Sequence, residues 1–137
     1  MLKNPKLKNL TKQQKQKLLN NIDCLGRFGE EWFRLYLIHN LGHRIITRNF
    51  SYKIGEIDIV SVYKDSVFFW EVKSRSSIKY GYPEDAVRQR KLIKLKKGVE
   101  IFLKNRPDLC GFNHYLKIVS LIITNNKVRE LVIFEVE

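Results

Sequence analysis

The chain has 137 residues, 44% of them apolar and 12% aromatic, which suits one folded domain and excludes wholesale disorder. Twenty-six Lys and Arg against 14 Asp and Glu leave a net charge of +12, a field that favours polyanions, nucleic acid first. No apolar run approaches the roughly 20 residues that span a bilayer, and the basic N-terminus has no apolar stretch behind it, so neither a membrane span nor a secretory leader is expected. Cys24 and Cys110 form no CxxC pair and no disulfide framework, which fits a reduced, cytoplasmic setting.

Residues 1–22 carry six Lys and no acid, half of the net charge. They read as a basic N-terminal arm or short helix. Thr11 with Gln14 has the form of a capping box opening that helix, and a flexible version could lie along phosphates. Residues 23–137 read as a single α/β domain.

Within it, Leu25, Phe28, Trp32, Leu35 and Tyr36 recur at helical spacing, predicting a helix over about 23–40 with Asp23 as its N-cap and Gly42 as its stop. Gly26 and Gly29 each cost about 1 kcal/mol against Ala, which points to a close approach of this helix to a sheet or a ligand backbone. Three strand-like runs follow, 44–51, 55–63 and 67–74, joined by hairpin-sized turns. A long helix is expected over 84–104, with Ala86, Leu92, Leu95, Val99 and Phe102 inward. Strands over 115–124 and 129–135, joined at Asn125-Asn126, close the chain. The order α-β-β-β-α-β-β suggests one mixed central sheet flanked by helices.

The chemistry lies in the second and third strands. Alternation puts Glu56 and Asp58 on one face with Ile57 and Ile59 opposite, and Glu71 and Lys73 on one face with Trp70 and Val72 opposite. A hairpin in suitable register gathers Asp58, Glu71 and Lys73 on one patch. Carboxylates so placed repel and raise each other's pKa, and a divalent cation relieves them. Asp58, Glu71 and the Val72 carbonyl are hard oxygen donors that suit Mg²⁺ or Mn²⁺. Such an ion binds a phosphate oxygen and activates a water, and Lys73 could hold that water or offset charge on the phosphorus oxygens.

The stretch from Arg88 to Lys97 holds six cations and no acid. Arg88, Arg90, Lys91, Lys94 and Lys97, with Arg75 and Lys79 just past Lys73, are candidate phosphate contacts. Neither a recognition helix nor a zinc finger is apparent, so shape or junction recognition is expected over base reading.

Gly26-x-x-Gly29-Glu30, Arg48-Asn49, Gly55-Glu56-Ile57-Asp58, Glu71-Val72-Lys73-Ser74-Arg75, Gly81-x-Pro83 and Ala86-Val87 followed by Lys91 form an ordered set. Over about residues 24–135 it resembles the YraN-like family, which is similar to PD-(D/E)xK nucleases and archaeal Holliday-junction resolvases. The resemblance implies a restriction-endonuclease-like fold. It implies that Asp58 and Glu71 bind metal, that Glu30 joins the metal site, and that Lys73 is the catalytic Lys. It puts Gln89 and Lys91 where related nucleases carry a supporting polar residue, with Glu56 beside the site. Ser74-Arg75 stands for the usual Thr-Arg, and Tyr115-Leu116-Lys117 for an Arg-x-Asp. The implied activity is that of a Mg²⁺-dependent deoxyribonuclease, with branched or damaged DNA among its candidate substrates, and the resolvase likeness implies a two-fold homodimer. The alternative is a non-catalytic or partner-dependent nucleic-acid-binding module on the same fold.

Overall fold

The computed structural model describes residues 1–77 and 89–137. Strand β1 (Leu2–Lys3) precedes helices α1 (Lys12–Leu19) and α2 (Leu25–His39). Strands β2 (Arg44–Tyr52), β3 (Gly55–Tyr63) and β4 (Ser66–Arg75) lead to helix α3 (Gln89–Lys104), a 3-10 turn (Pro107–Leu109) and strands β5 (Asn113–Thr124) and β6 (Lys127–Val136). The six strands make one sheet in the order β1-β6-β5-β4-β3-β2. β4 and β5 run parallel, and the other neighbours are antiparallel. This is the mixed α/β, restriction-endonuclease-like architecture expected, with β1 and α1 ahead of it.

Local chemistry sets the hairpins. Thr124 pairs with Lys127 across Asn125 and Asn126, at φ 51° and 59°. Two left-handed residues make the primed turn that matches strand twist, and Asn tolerates that conformation. Tyr52 pairs with Gly55, and Tyr63 with Ser66 across left-handed Lys64.

The sheet is covered on both faces. Phe28, Trp32, Phe33 and Tyr36 of α2 pack on Ile59, Trp70, Val119 and Leu121. Leu95, Val99 and Phe102 of α3 pack on Ile57, Val60, Phe69, Leu116 and Ile118. That is why β4 reads as a nearly unbroken apolar run. Two glycines allow the helices to come close. A Cβ at Gly29 would run into Ser74 Oγ, so α2 lies tight on β4 and carries Glu30 toward the sheet. A Cβ at Gly98 would strike the ring of Tyr52, whose hydroxyl donates to the Lys94 carbonyl at 2.8 Å. Gly26 faces open space, and nothing in the structure explains it.

One expectation is corrected at the N-terminal end, and of the two readings of residues 1–22 the short helix is present. Helix α2 begins at Leu25 with Cys24 in the cap position, so Asp23 is not its cap. The first residues do not hang free. β1 pairs with β6, Leu7 and Leu18 pack on the α2-side core, and Asn40 ties down Lys6 and Lys8. Helix α1 does carry the expected Thr11–Gln14 capping box.

Candidate active site

Strand β3 changes face at Asp58. Ile57 joins the α3-side core while Ile59 joins the α2-side core. The paired strand does the same: Arg48 reaches Glu31 on α2, Phe50 meets Phe102 on α3, and left-handed Asn49 lies between them. Strict alternation, with Ile57 and Ile59 on one face, therefore fails here. The β3–β4 ladder runs from Tyr63–Ser66 to Ile59–Trp70. At the next step the Val72 amide donates to Asp58 Oδ2, at 2.8 Å. A side-chain oxygen thus takes a ladder position, holding the carboxylate where the two strands part.

Strand β4 alternates as read. Trp70 and Val72 face α2, and Phe69 faces α3 with Glu71 and Lys73 on its side. Glu71 is 4% exposed. Its Oε1 receives the ammonium of Lys91 at 2.8 Å and that of Lys73 at 3.4 Å. From α2, the Glu30 carboxylate lies near enough for its charge to act on Asp58.

These contacts set the protonation of the site. Burial pushes Asp58 up to about 8, helped by the charges of Glu71 and Glu30 and opposed by the Val72 N–H. Burial lowers Lys73, and the neighbouring Lys91 lowers it further against the pull of Glu71. Burial also acts against the charged form of Lys91, but hydrogen bonding to Glu71 and Lys73 and the charges of Glu71 and Asp58 raise it overall.

Asp58 and Glu71 lie at a cleft of about 480 Å³. Glu56, Arg90, Lys91 and Lys94 line it, with the ring of Tyr52 along one wall. Of the other residues read from the sequence, Lys97 pairs with Glu100 at 3.6 Å and does not line the cleft. Gln89 is exposed at the start of α3. Arg75 is half-buried at the end of β4, and its Nε has no hydrogen-bond partner among the described residues. Lys79 and Arg88 lie outside the described residues. Lys117 sits over the rings of Phe68 and Tyr115, at 5.3 and 5.8 Å. His43 Nδ1 shares a 2.9 Å hydrogen bond with Ser61 Oγ, which also accepts from Trp70 Nε1.

The donor set has the chemistry of a hard-cation site. One half-buried carboxylate, Asp58, is held by a backbone amide, and the charges of Glu71 and Glu30 bear on it. Among the described residues, no three carboxylate, imidazole or thiol groups gather closely enough to enclose an ion. Mg²⁺ does not need such a cage, because it usually keeps several waters and takes one or two carboxylates. Asp58, Glu71 and the Val72 carbonyl could supply that set, with Glu30 steadying Asp58.

Sequence reasoning missed the depth of Lys91's engagement with Glu71. It also missed Glu31, a 1% exposed acid that gathers Lys17 of α1, Arg34 of α2 and Arg48 of β2. The Arg48-Asn49 pair was the available signal for that cluster.

A profile of the Uncharacterised protein family UPF0102 matches residues 29–123. A UPF0102 protein of Syntrophomonas wolfei subsp. wolfei is 43% identical over 103 residues, 75% of this chain and 88% of that protein. One of Natranaerobius thermophilus is 36% identical over 105 residues, 76% and 87% of the two chains. One of Caldicellulosiruptor bescii is 39% identical over 103 residues, 75% and 86%. The matched span contains Glu30, Asp58, Glu71, Lys73 and Lys91.

Proposed function

We propose that this chain, which belongs to family UPF0102, the YraN family, is a metal-dependent nuclease that hydrolyses phosphodiester bonds in DNA, branched or damaged DNA among its candidate substrates. The observation that carries this reading is Asp58 tied to the β4 backbone at Val72, next to the Glu71–Lys73 pair, on a cleft lined by Arg90 and Lys94. Crowded, partly buried carboxylates are costly without a cation, and a basic rim favours a phosphate chain over a neutral substrate.

Each residue then has a task. Val72 N–H fixes the direction of Asp58, and Glu30 steadies it from α2. Asp58 and Glu71 hold Mg²⁺ or Mn²⁺ with the Val72 carbonyl. When bound, that ion polarises a phosphoryl oxygen and lowers the pKa of a water. Lys73 lies beside Glu71, close enough to hold the water or offset charge on the phosphorus oxygens. Arg90 and Lys94 grip the backbone without reading bases. Among the described residues no helix is long and apolar enough to cross a membrane.

The test is cleavage of labelled linear, single-stranded and four-way DNA with and without Mn²⁺. The wild type should cut, with Asp58→Asn and Glu71→Gln inactive while still binding. Equal cleavage by both variants would refute the mechanism. A second reading, a non-catalytic DNA-binding module, draws on the two lysines that already neutralise Glu71. Steep salt-dependent binding with no turnover across a panel of metals would favour it.

A further inference from the structure

Two ammonium groups on one buried carboxylate oxygen need an explanation. Lys73 is a near neighbour of Glu71 in sequence and shares its face of β4. Lys91 comes from another element, the first turn of α3, and makes the shorter contact, 2.8 against 3.4 Å. The Lys91 side chain is 40% exposed at the cleft, beside Arg90 and Lys94, while the Glu71 side chain is 5% exposed. Lys91 therefore has room to turn outward to the cleft once another cation takes its place, whereas Glu71 cannot leave. A divalent ion about 2.1 Å from this carboxylate would repel an ammonium held on it at 2.8 Å, so the two compete for Glu71.

Resting on the nuclease reading, we propose that Lys91 is an exchangeable counter-ion: it occupies Glu71 until a divalent cation takes its place, and on release it turns to a backbone phosphate in the cleft. Metal and phosphate then assist each other. A phosphate that draws Lys91 away frees Glu71 for the ion, and an ion on Glu71 frees Lys91 for the phosphate. Reciprocity of this kind is required whenever two ligands share one two-state element. Lys91 is on this account a positioning residue, and its exchange keeps the metal site weak until nucleic acid arrives.

The experiment measures Mn²⁺ binding by calorimetry, without nucleic acid, for the wild type, Lys91→Met, Lys91→Gln, and each with Glu71→Gln added. Thermal melts confirm that each variant folds. Removing the competing ammonium should tighten Mn²⁺ about 5- to 150-fold, the usual span of such coupling, and Glu71→Gln should abolish the gain. A second readout uses the wild type alone. Mn²⁺ should speed acetylation of Lys91, followed by peptide mass spectrometry, and should leave Lys97 unchanged. If the wild type binds Mn²⁺ but Lys91→Met binds it no better, and acetylation does not change, the exchange is refuted while the metal site stands. If neither protein binds Mn²⁺, the metal reading and the exchange both fail.

Discussion

Replacing Glu31 by Gln tests how the site is braced. Glu31 is 1% exposed, and Arg34 donates to it from Nε at 3.2 Å and Nη2 at 2.6 Å. Arg48 Nη2 lies 3.1 Å away and Lys17 Nζ 4.0 Å. Burial alone would push this acid up, but the Arg34 hydrogen bond and the charges of Arg34, Arg48 and Lys17 outweigh it and hold the group below the ordinary carboxylate range. A hydrogen bond to a charged partner contributes about 1.5–3 kcal/mol, and an exposed pair such as Lys17 under about 1. Gln keeps the volume and one acceptor but turns an NH₂ toward a guanidinium. Arg48 is 36% exposed on its side chain, so its share is discounted for solvent screening. The expected loss is about 2–3 kcal/mol, read by urea unfolding with an unchanged slope, or a fall in Tm of about 10 °C. A depressed folded pKa stabilises above the unfolded value of 4.5 and is lost as pH falls through the folded value, so the penalty should shrink below about pH 4.5. A double-mutant cycle with Arg34→Met should recover most of the energy as coupling. A penalty under about 0.5 kcal/mol at pH 7 would show that the cluster does not bind α1, α2 and β2 together.

Other outcomes follow from single contacts. Gly98→Ala should cost about 1–3 kcal/mol because the Tyr52 ring must shift and strain its hydroxyl bond to the Lys94 carbonyl, and the cost should vanish in a Tyr52→Ala background; equal penalties in both would refute the contact. Burial, with a contribution from Lys117, holds His43 down at about 4 against an ordinary 6.5. The unfolded chain therefore binds more protons between those values, and stability should fall as pH drops from 6.5 toward 4. His43→Asn should flatten that slope in urea titrations at pH 7 and 5, and parallel slopes would contradict the assignment. Arg90→Ala with Lys94→Ala should reduce the salt slope of DNA binding by about 2, whereas Lys97→Ala, already paired with Glu100, should change it less; equal effects per residue would count against the cleft as the DNA path.

The outline of the site was legible because period-2 patterning is local. Trp70 and Val72 on one side of β4, with Glu71 and Lys73 on the other, need nothing beyond a straight strand. The Asn125-Asn126 turn and the Thr11 cap were legible for the same reason. Asp58 was found for its spacing from Glu71, but its setting was not, because a strand that changes face leaves no mark in its own pattern. The change shows in left-handed Asn49 on the neighbouring strand and in Val72 N–H turning to a side chain. Gly29 signalled a close approach to β4, while Gly26 carried the same signal and meets nothing. The Lys91–Glu71 contact was hidden because it joins a helix to a strand 20 positions apart, and charge runs do not tell which lysine turns inward.

Diffraction at the manganese absorption edge from crystals soaked in Mn²⁺ bears most directly on the nuclease reading. The expected result is an anomalous peak touching the Asp58 and Glu71 carboxylates and the Val72 carbonyl, with the Lys91 ammonium moved off Glu71. A saturated soak with no peak there, and Lys91 still seated on Glu71, would contradict the account.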